Sequence, residues 1–316
     1  MSLPAQVMRR KHVNINRERE YVMRRHIVSV AVVLGLMLPA VAQAQIHYPN
    51  EDGVAMGHVH LIVADPAAAA KTFEAMGGLP MKVGDNLGMR FLDVVILMRQ
   101  GTPSGPSAGS TVGHIAFTVP NSKAALAQWT SAGLRTSTNS EDKKTLTDAF
   151  VKAQLARKPY PGNPGQFFVT TPDGLTRIEI LQSTEEQLSP IRFNHVHFYV
   201  PEAEIPKIQK WYAEMFGAVP GMRGRNVGAD LPGVNLSFAA APDGKVAPTQ
   251  GRVIDHIGFE IVNLEPFVKQ LEAKGVKFDR PYQKGAAAGV FIAFFTDPWG
   301  TTVELSEGLR SLASRR

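Results

Sequence analysis

Four short segments of the chain follow one pattern: GHVHLIV (57–63), GHIAFTV (113–119), NHVHFYV (194–200) and DHIGFEI (255–261). Each places a histidine after a small or polar residue and an aliphatic residue five positions later, within a β-branched, aromatic and apolar run that reads as a strand. A chain that rewrites one segment in this way is built from copies of one supersecondary unit, which restricts the fold more than composition does.

The repeated unit extends well beyond its strand. Helical stretches run from Pro66 to Met76, Ser122 to Ala132, Glu204 to Phe216 and Leu264 to Lys274. Their ends alternate: FEAMGG (73–78) is echoed by YAEMFG (212–217), and WTSAGL (129–134) by LEAKGV (271–276), each with the glycine expected of a helix stop. Further strand-like runs come next: Met89 to Met98, Gln166 to Thr171 with Arg177 to Leu181, Val234 to Ala239, and Val290 to Thr296 with Thr302 to Leu305. The economical unit is β-α-β-β-β, written four times in the order A-B-A′-B′. Two domains are expected, residues 54–183 (modules one and two) and 191–308 (modules three and four). GTPSGPSAGS (101–110) and the stretch around Ser183 to Pro190 read as linkers. Residues 140–165 form a long insertion, a binding loop or a solvated excursion.

Residues 1–44 stand apart as an N-terminal extension and signal peptide. Arg24-Arg25, the apolar run Ile27 to Leu38 and the small residues Ala42-Gln43-Ala44 have the order of n-region, h-region and cleavage site, so a periplasmic or secreted protein is expected. The apolar run is too short to span a bilayer, and no membrane association is expected after cleavage. That segment holds seven of the 34 Lys/Arg and two of the 28 Asp/Glu, leaving 27 basic against 26 acidic residues, which removes the case for a nucleic-acid partner. With no cysteine in the chain, a metal must be held by histidine, carboxylate or water.

The four histidine strands, the WYAEMFG helix end, and the turns TPDG (171–174) and DPWG (297–300) before the last strand of each half together resemble the vicinal oxygen chelate superfamily of glyoxalases, extradiol dioxygenases, epimerases and bleomycin-resistance proteins. The most specific element is DPWGTTVEL (297–305), in which the glutamate four residues after the glycine matches a metal ligand of the family. The resemblance implies an α+β fold of four βαβββ modules paired into two curved-sheet, open-barrel domains. It also implies a divalent metal held by one residue on the first strand of each module of a pair and a carboxylate on the last strand of the second module. Carried over, this gives His195, His256 and Glu304, with a second set of His58, His114 and Glu179. The second set departs from the pattern, because Glu179 follows Gly174 by five residues and needs a bulge to keep its face.

Two imidazoles and a carboxylate leave coordination positions open, and Fe(II), Mn(II), Zn(II) and Ni(II) all suit them. Such an ion would chelate vicinal oxygens of a small-molecule substrate. Phe294 stands where related extradiol dioxygenases carry a tyrosine, and GAAA (285–288) supplies no histidine, which counts against catechol cleavage. The resemblance to glyoxalases and epimerases implies a fourth Glu or Gln ligand, and NLSFAAAP (235–242) supplies none, so that pattern is also incomplete. His60 and His197 lie two residues after a register histidine, hence on the same strand face, and are candidate catalytic or substrate-facing groups, or buried structural ones. Arg223 and Arg225 in GMRGRN (221–226) either hold an acidic substrate or sit on a solvated loop. Two functions are open: a metal-dependent enzyme of glyoxalase or dioxygenase type, and a metal-free small-molecule binding protein.

Overall fold

In the computed structural model, residues 46–138 and 165–314 are described, so residues 1–44 and nearly all of the 140–165 insertion lie outside the described residues. Four βαβββ units succeed one another. The first comprises β1 (Val54–Val63), α1 (Pro66–Ala75), β2 (Leu79–Val83), β3 (Asn86–Arg90) and β4 (Val95–Gln100). The second comprises β5 (Val112–Val119), α2 (Ser122–Ser131), β6 (Arg135–Thr138), β7 (Phe167–Thr170) and β8 (Arg177–Gln182). The third comprises β9 (Arg192–Val200), α3 (Ile205–Phe216), β10 (Val219–Arg223), β11 (Asn226–Leu231) and β12 (Val234–Ala240). The fourth comprises β13 (Ile254–Ile261), α4 (Leu264–Ala273), β14 (Phe278–Lys284), β15 (Phe291–Thr296) and β16 (Thr302–Glu307), and a short α5 (Leu309–Ala313) ends the described chain. Local chemistry sets the helix limits. Asp65 and Asn121 cap α1 and α2 by accepting the amides of Ala68 and Ala124, and α3 stops at Gly217, whose φ of 64° is left-handed.

The strands form two open eight-stranded sheets, ordered β14-β15-β16-β13-β1-β4-β3-β2 and β10-β11-β12-β9-β5-β8-β7-β6. Module one therefore pairs with module four and module two with module three, so neither sheet is confined to the expected halves 54–183 and 191–308. The joins are antiparallel contacts of first strands, β1 with β13 and β5 with β9.

The two linkers that cross between sheets explain how this pairing is held. Ser104 and Val253 donate to the carbonyls of Gly251 and Gly105, while Thr111 and Ala247 donate to those of Ala247 and Gly109. The Arg252 guanidinium adds hydrogen bonds to the carbonyls of Pro106 and Ala108. Each linker thus satisfies the backbone groups of the other, which a lone polar loop would leave to water.

Alternation along the strands separates two faces. On β1, Val59, Leu61 and Val63 join the hydrophobic core, and on β13 Ile257 and Phe259 do the same. Aromatic pairs tie the sheets across that core, Phe91 to Phe117 and Phe216 to Phe259, each at 4.9 Å between centroids. The histidines of these strands are left on the opposite face.

Candidate metal centres

That opposite face gathers the polar groups into two clusters. On the first sheet, β1 and β13 place His58 opposite Gly258 and His60 opposite His256, and β16 places Glu304 beside Gly258. On the second, β5 and β9 place His114 opposite His197 and Ala116 opposite His195, and β8 places Glu179 beside Ala116. Position for position the clusters correspond: His256, His60, His58 and Glu304 match His114, His197, His195 and Glu179. Ring separations agree, 4.6 Å for His60–His256 against 4.5 Å for His114–His197, and 5.6 Å for His58–His256 against 5.5 Å for His114–His195.

This grouping corrects both expected triads. His256 and Glu304 come together, but with His58 and not with His195; His114 and Glu179 come together, with His195 and not with His58. The cause is the exchange of modules between sheets, which swaps one first strand in each set. Glu179 faces its cluster despite the longer spacing. The extra residue is taken up in the turn before β8, where Leu175 and Thr176 donate to the side chains of Asp173 and Thr171, so Arg177 enters the strand in register. His60 and His197 lie within the two clusters themselves.

Contacts within the first cluster are short. Glu304 Oε2 lies 2.8 Å from His256 Nε2 and 3.1 Å from His58 Nε2. Asp255 Oδ1, 2.8 Å from His256 Nδ1, fixes that ring so that Nε2 faces inward, as a carboxylate commonly does for a metal-binding imidazole. Gly258 is required here, since a Cβ on it would stand 2.1 Å from His58 Cε1. Burial, reinforced by His256 and His58, holds His60 well below the usual imidazole range. For His256 burial acts in the same direction, but Asp255 and Glu304 outweigh it and raise the group. Glu304 is held low against the effect of burial by His58 and His256. Phe294 packs on His256 at 5.3 Å, and the Arg280 guanidinium lies 3.6 Å from the Phe294 centroid.

The second cluster repeats the donors under a different cover. Glu179 Oε2 stands 3.2 Å from His195 Nε2 and 3.4 Å from His114 Nε2, and its other oxygen accepts from Gln166. Arg223 Nη2 is 3.1 Å from His195 Nε2, and its Nε donates to Ser237 Oγ at 2.7 Å. Burial and then the Arg223 charge push His195 down to about 3. His114 and His197 are likewise lowered chiefly by burial, and Glu179 is held well below the carboxylate range by His114 and His195, although burial opposes this. The Arg177 guanidinium lies 3.7 Å from the Phe168 centroid. Asp255, Gln166 and Arg177 do not stand out in the sequence as site residues. Of the three only Asp255, next to a register histidine, carries a usable signal there.

The donor sets suit a metal ion. In the first cluster His58, His60, His256 and Glu304 offer ligand atoms within 4.8 Å of one another, and in the second His114, His195 and His197 do so. A divalent ion holds nitrogen and oxygen donors at about 2.0–2.2 Å, so its ligand atoms stand up to about 4 Å apart, close to this spread. His60 Nε2 and both ring nitrogens of His197 are buried with no hydrogen-bond partner among the described residues, a costly arrangement that an added partner relieves.

Two open mixed sheets each gather three histidines and a glutamate on one face. Residues 192–305 match the model of the Glyoxalase/Bleomycin resistance protein/Dioxygenase superfamily. The fold is similar to that of glyoxalase I from Zea mays, with a TM-score of 0.57 and 18% identity over 82% of this chain and 94% of that one. A single-substitution variant of the same maize protein gives 0.59 and 19% over 83% and 95%. A candidate dioxygenase from Bacillus subtilis gives 0.53 and 13% over 83% and 86%. No curated protein sequence matches.

Proposed function

We propose that this protein is a divalent-metal-dependent enzyme of glyoxalase or dioxygenase type, acting on a small oxygenated substrate after export to the periplasm or beyond the cell. The observation that carries the reading is the first cluster: four buried donor side chains converge, and one of them, His60, has a ring nitrogen without a partner. His58, His256 and Glu304 would hold the ion. Its chemistry would be that of a Lewis acid toward vicinal oxygens of the substrate. Asp255 orients His256, and burial keeps the His60 imidazole neutral, with a lone pair to offer as a fourth ligand or as a proton acceptor. Export is supported by the signal-like segment at residues 24–44. The likeness of fold to glyoxalase I and to a candidate dioxygenase supports the reaction class and leaves the choice between them to experiment.

The test is metal analysis of the purified protein after reconstitution with Fe(II), Mn(II) or Zn(II), beside His256→Ala. At least one equivalent in the wild type, lost in the variant, is expected. Fewer than about 0.2 equivalents in the wild type would remove the metalloenzyme reading in favour of a metal-free binding protein. Screening the loaded protein for O2 consumption and for hemithioacetal isomerisation then separates the two reaction types.

A further inference from the structure

The face of the first sheet that carries His58, His60, His256 and Glu304 is also the seat of α5. Val95 and Leu97 of β4 lie beside His58 and His60 in the parallel register, which turns them to the same face. There they pack with Val83, with Ile46 and with Leu309 and Ala313 of α5, in an apolar cluster separate from the main core. On the other side of the donors Phe294 packs on His256 under the Arg280 guanidinium. The four donors are enclosed between these walls, each of them 9% exposed or less. A substrate reaches them only when part of the cover moves.

Of the covering elements, α5 is the one held by the least. It spans five residues, too few to persist as a helix by itself, and buries only Leu309 and Ala313. It hangs from Gly308, whose φ of 97° is left-handed and where a Cβ would stand 2.2 Å from the Gly289 carbonyl oxygen. Its start is fastened by Glu260, four residues after His256 on β13 and so on the same strand face. One oxygen of this buried carboxylate accepts the amides of Gly308 and Arg310, both at 3.0 Å, and the other accepts from Ser306 Oγ at 2.9 Å. At the far end Arg90 donates to the Ala313 carbonyl. The second sheet has neither the helix nor its seat. Register makes Asn235 and Ser237 the counterparts of Val95 and Leu97, and the tight turns VGDN and RGRN make Arg223 the counterpart of Val83. Thr118, four residues after His114, takes the place of Glu260 and donates to Gln187, and among the described residues no helix lies between β8 and β9. Helix, apolar seat and carboxylate fastening thus occur together at one cluster and are replaced together at the other.

We propose that α5 is a gate on the first cluster, latched by Glu260, which swings out on Gly308 to admit ligands to His58, His60, His256 and Glu304. The inference goes beyond the metal reading and does not depend on it, because access to His60 is measured on metal-free protein and a chain that binds no metal still gives an answer. The experiment follows carbethoxylation of the histidines by diethyl pyrocarbonate, resolved by mass spectrometry, at about pH 7.5, where Glu260, pushed up to about 6 by burial, is ionised. Glu260→Ala removes the acceptor of three hydrogen bonds and should raise the rate at His60 at least about tenfold. His197, the counterpart in the second sheet, should keep its rate. Removal of residues 308–316 should raise the His60 rate at least as far. A second measurement reads the helix itself. The chain has no cysteine, so Ala313→Cys places a single thiol on the buried side of α5, and Val169→Cys places one in the core. The first should react with a thiol reagent at least about 100-fold faster than the second, whose exposure requires global unfolding. Equal labelling of the two thiols would show that α5 leaves its seat only when the protein unfolds. That result, an unchanged His60 rate in both Glu260→Ala and the shortened chain, or equal acceleration at His60 and His197 would overturn the proposal.

Discussion

Gly258→Ala tests the geometry of the first cluster with one methyl group. A Cβ at residue 258 would lie 2.1, 2.2 and 2.6 Å from Cε1, Nδ1 and Nε2 of His58, so all three close contacts fall on a single ring. Ordinary carbon contacts need about 3.5 Å or more, and the imidazole must therefore move by on the order of 1 Å. It has little freedom to do so, because His58 is buried and its Nε2 is engaged by Glu304. Overpacking of this kind costs about 1–3 kcal/mol, which lowers Tm by a few degrees in a chain of this size. Metal affinity should fall by roughly 10- to 100-fold, as it does when the support of a ligand is disturbed. The assay is a Co(II) titration read by visible absorption, beside a thermal melt. Ala116→Gly is the control, since Ala116 is the register counterpart of Gly258 and already carries a Cβ; it should cost only about 1 kcal/mol in backbone freedom and leave metal binding unchanged. Unchanged Tm and unchanged affinity in Gly258→Ala would refute the reasoning.

Three further perturbations probe the same structure. Glu304→Gln removes the carboxylate shared by His58 and His256, so metal affinity should drop at least about 100-fold, measured by competition with a chromophoric chelator. Burial pushes the Asp297 carboxyl up to about 6 from its ordinary 3.8, against the hydrogen bonds from Thr301, Tyr212 and Trp299. The folded state then binds the extra proton between those values, so this group's contribution is most favourable below about pH 4 and about 3 kcal/mol is lost as pH rises through 6. Urea unfolding of wild type and Asp297→Asn at pH 4.5 and 7.5 should show the difference between them changing in that direction. Arg252→Ala strips three hydrogen bonds from the crossing linkers and should destabilise the protein by about 2–3 kcal/mol; an unchanged urea midpoint would show that the linkers are held otherwise.

The β-α-β-β-β unit was legible in the sequence because its signals are local: alternation along each strand, a polar cap before α1 and α2, a glycine after α3. So was the common face of His58 with His60 and of His195 with His197, which needs only the strand period. The choice of partners was not legible. β1, β5, β9 and β13 carry nearly the same pattern, so each could lie against any other, and pairing consecutive modules was the simplest choice among equals. Contacts between residues far apart in the chain, such as Arg252 with Pro106 and Phe216 with Phe259, decide between the pairings. The place of Glu179 was hidden for a related reason, because a residue count from Gly174 does not say whether the turn or the strand absorbs the extra one. Arg223 could be read as a solvated loop residue until β10 and β12 brought it to Ser237 and His195.

The pairing of module one with four and two with three nests one sheet inside the other along the chain, like inner and outer brackets. Everything that builds the second cluster lies between Val112 and Ala240 and can close on itself while the polypeptide is still growing. The first cluster has to wait, since His58 meets Glu304 across 246 positions of sequence. Until β13 and β16 arrive, β1 offers an open edge carrying two histidines, and a chain halted before residue 254 would own a finished inner sheet and half of an outer one. The bracketed order thus makes completion of the first cluster's donor set a report that nearly the whole chain has been made and folded.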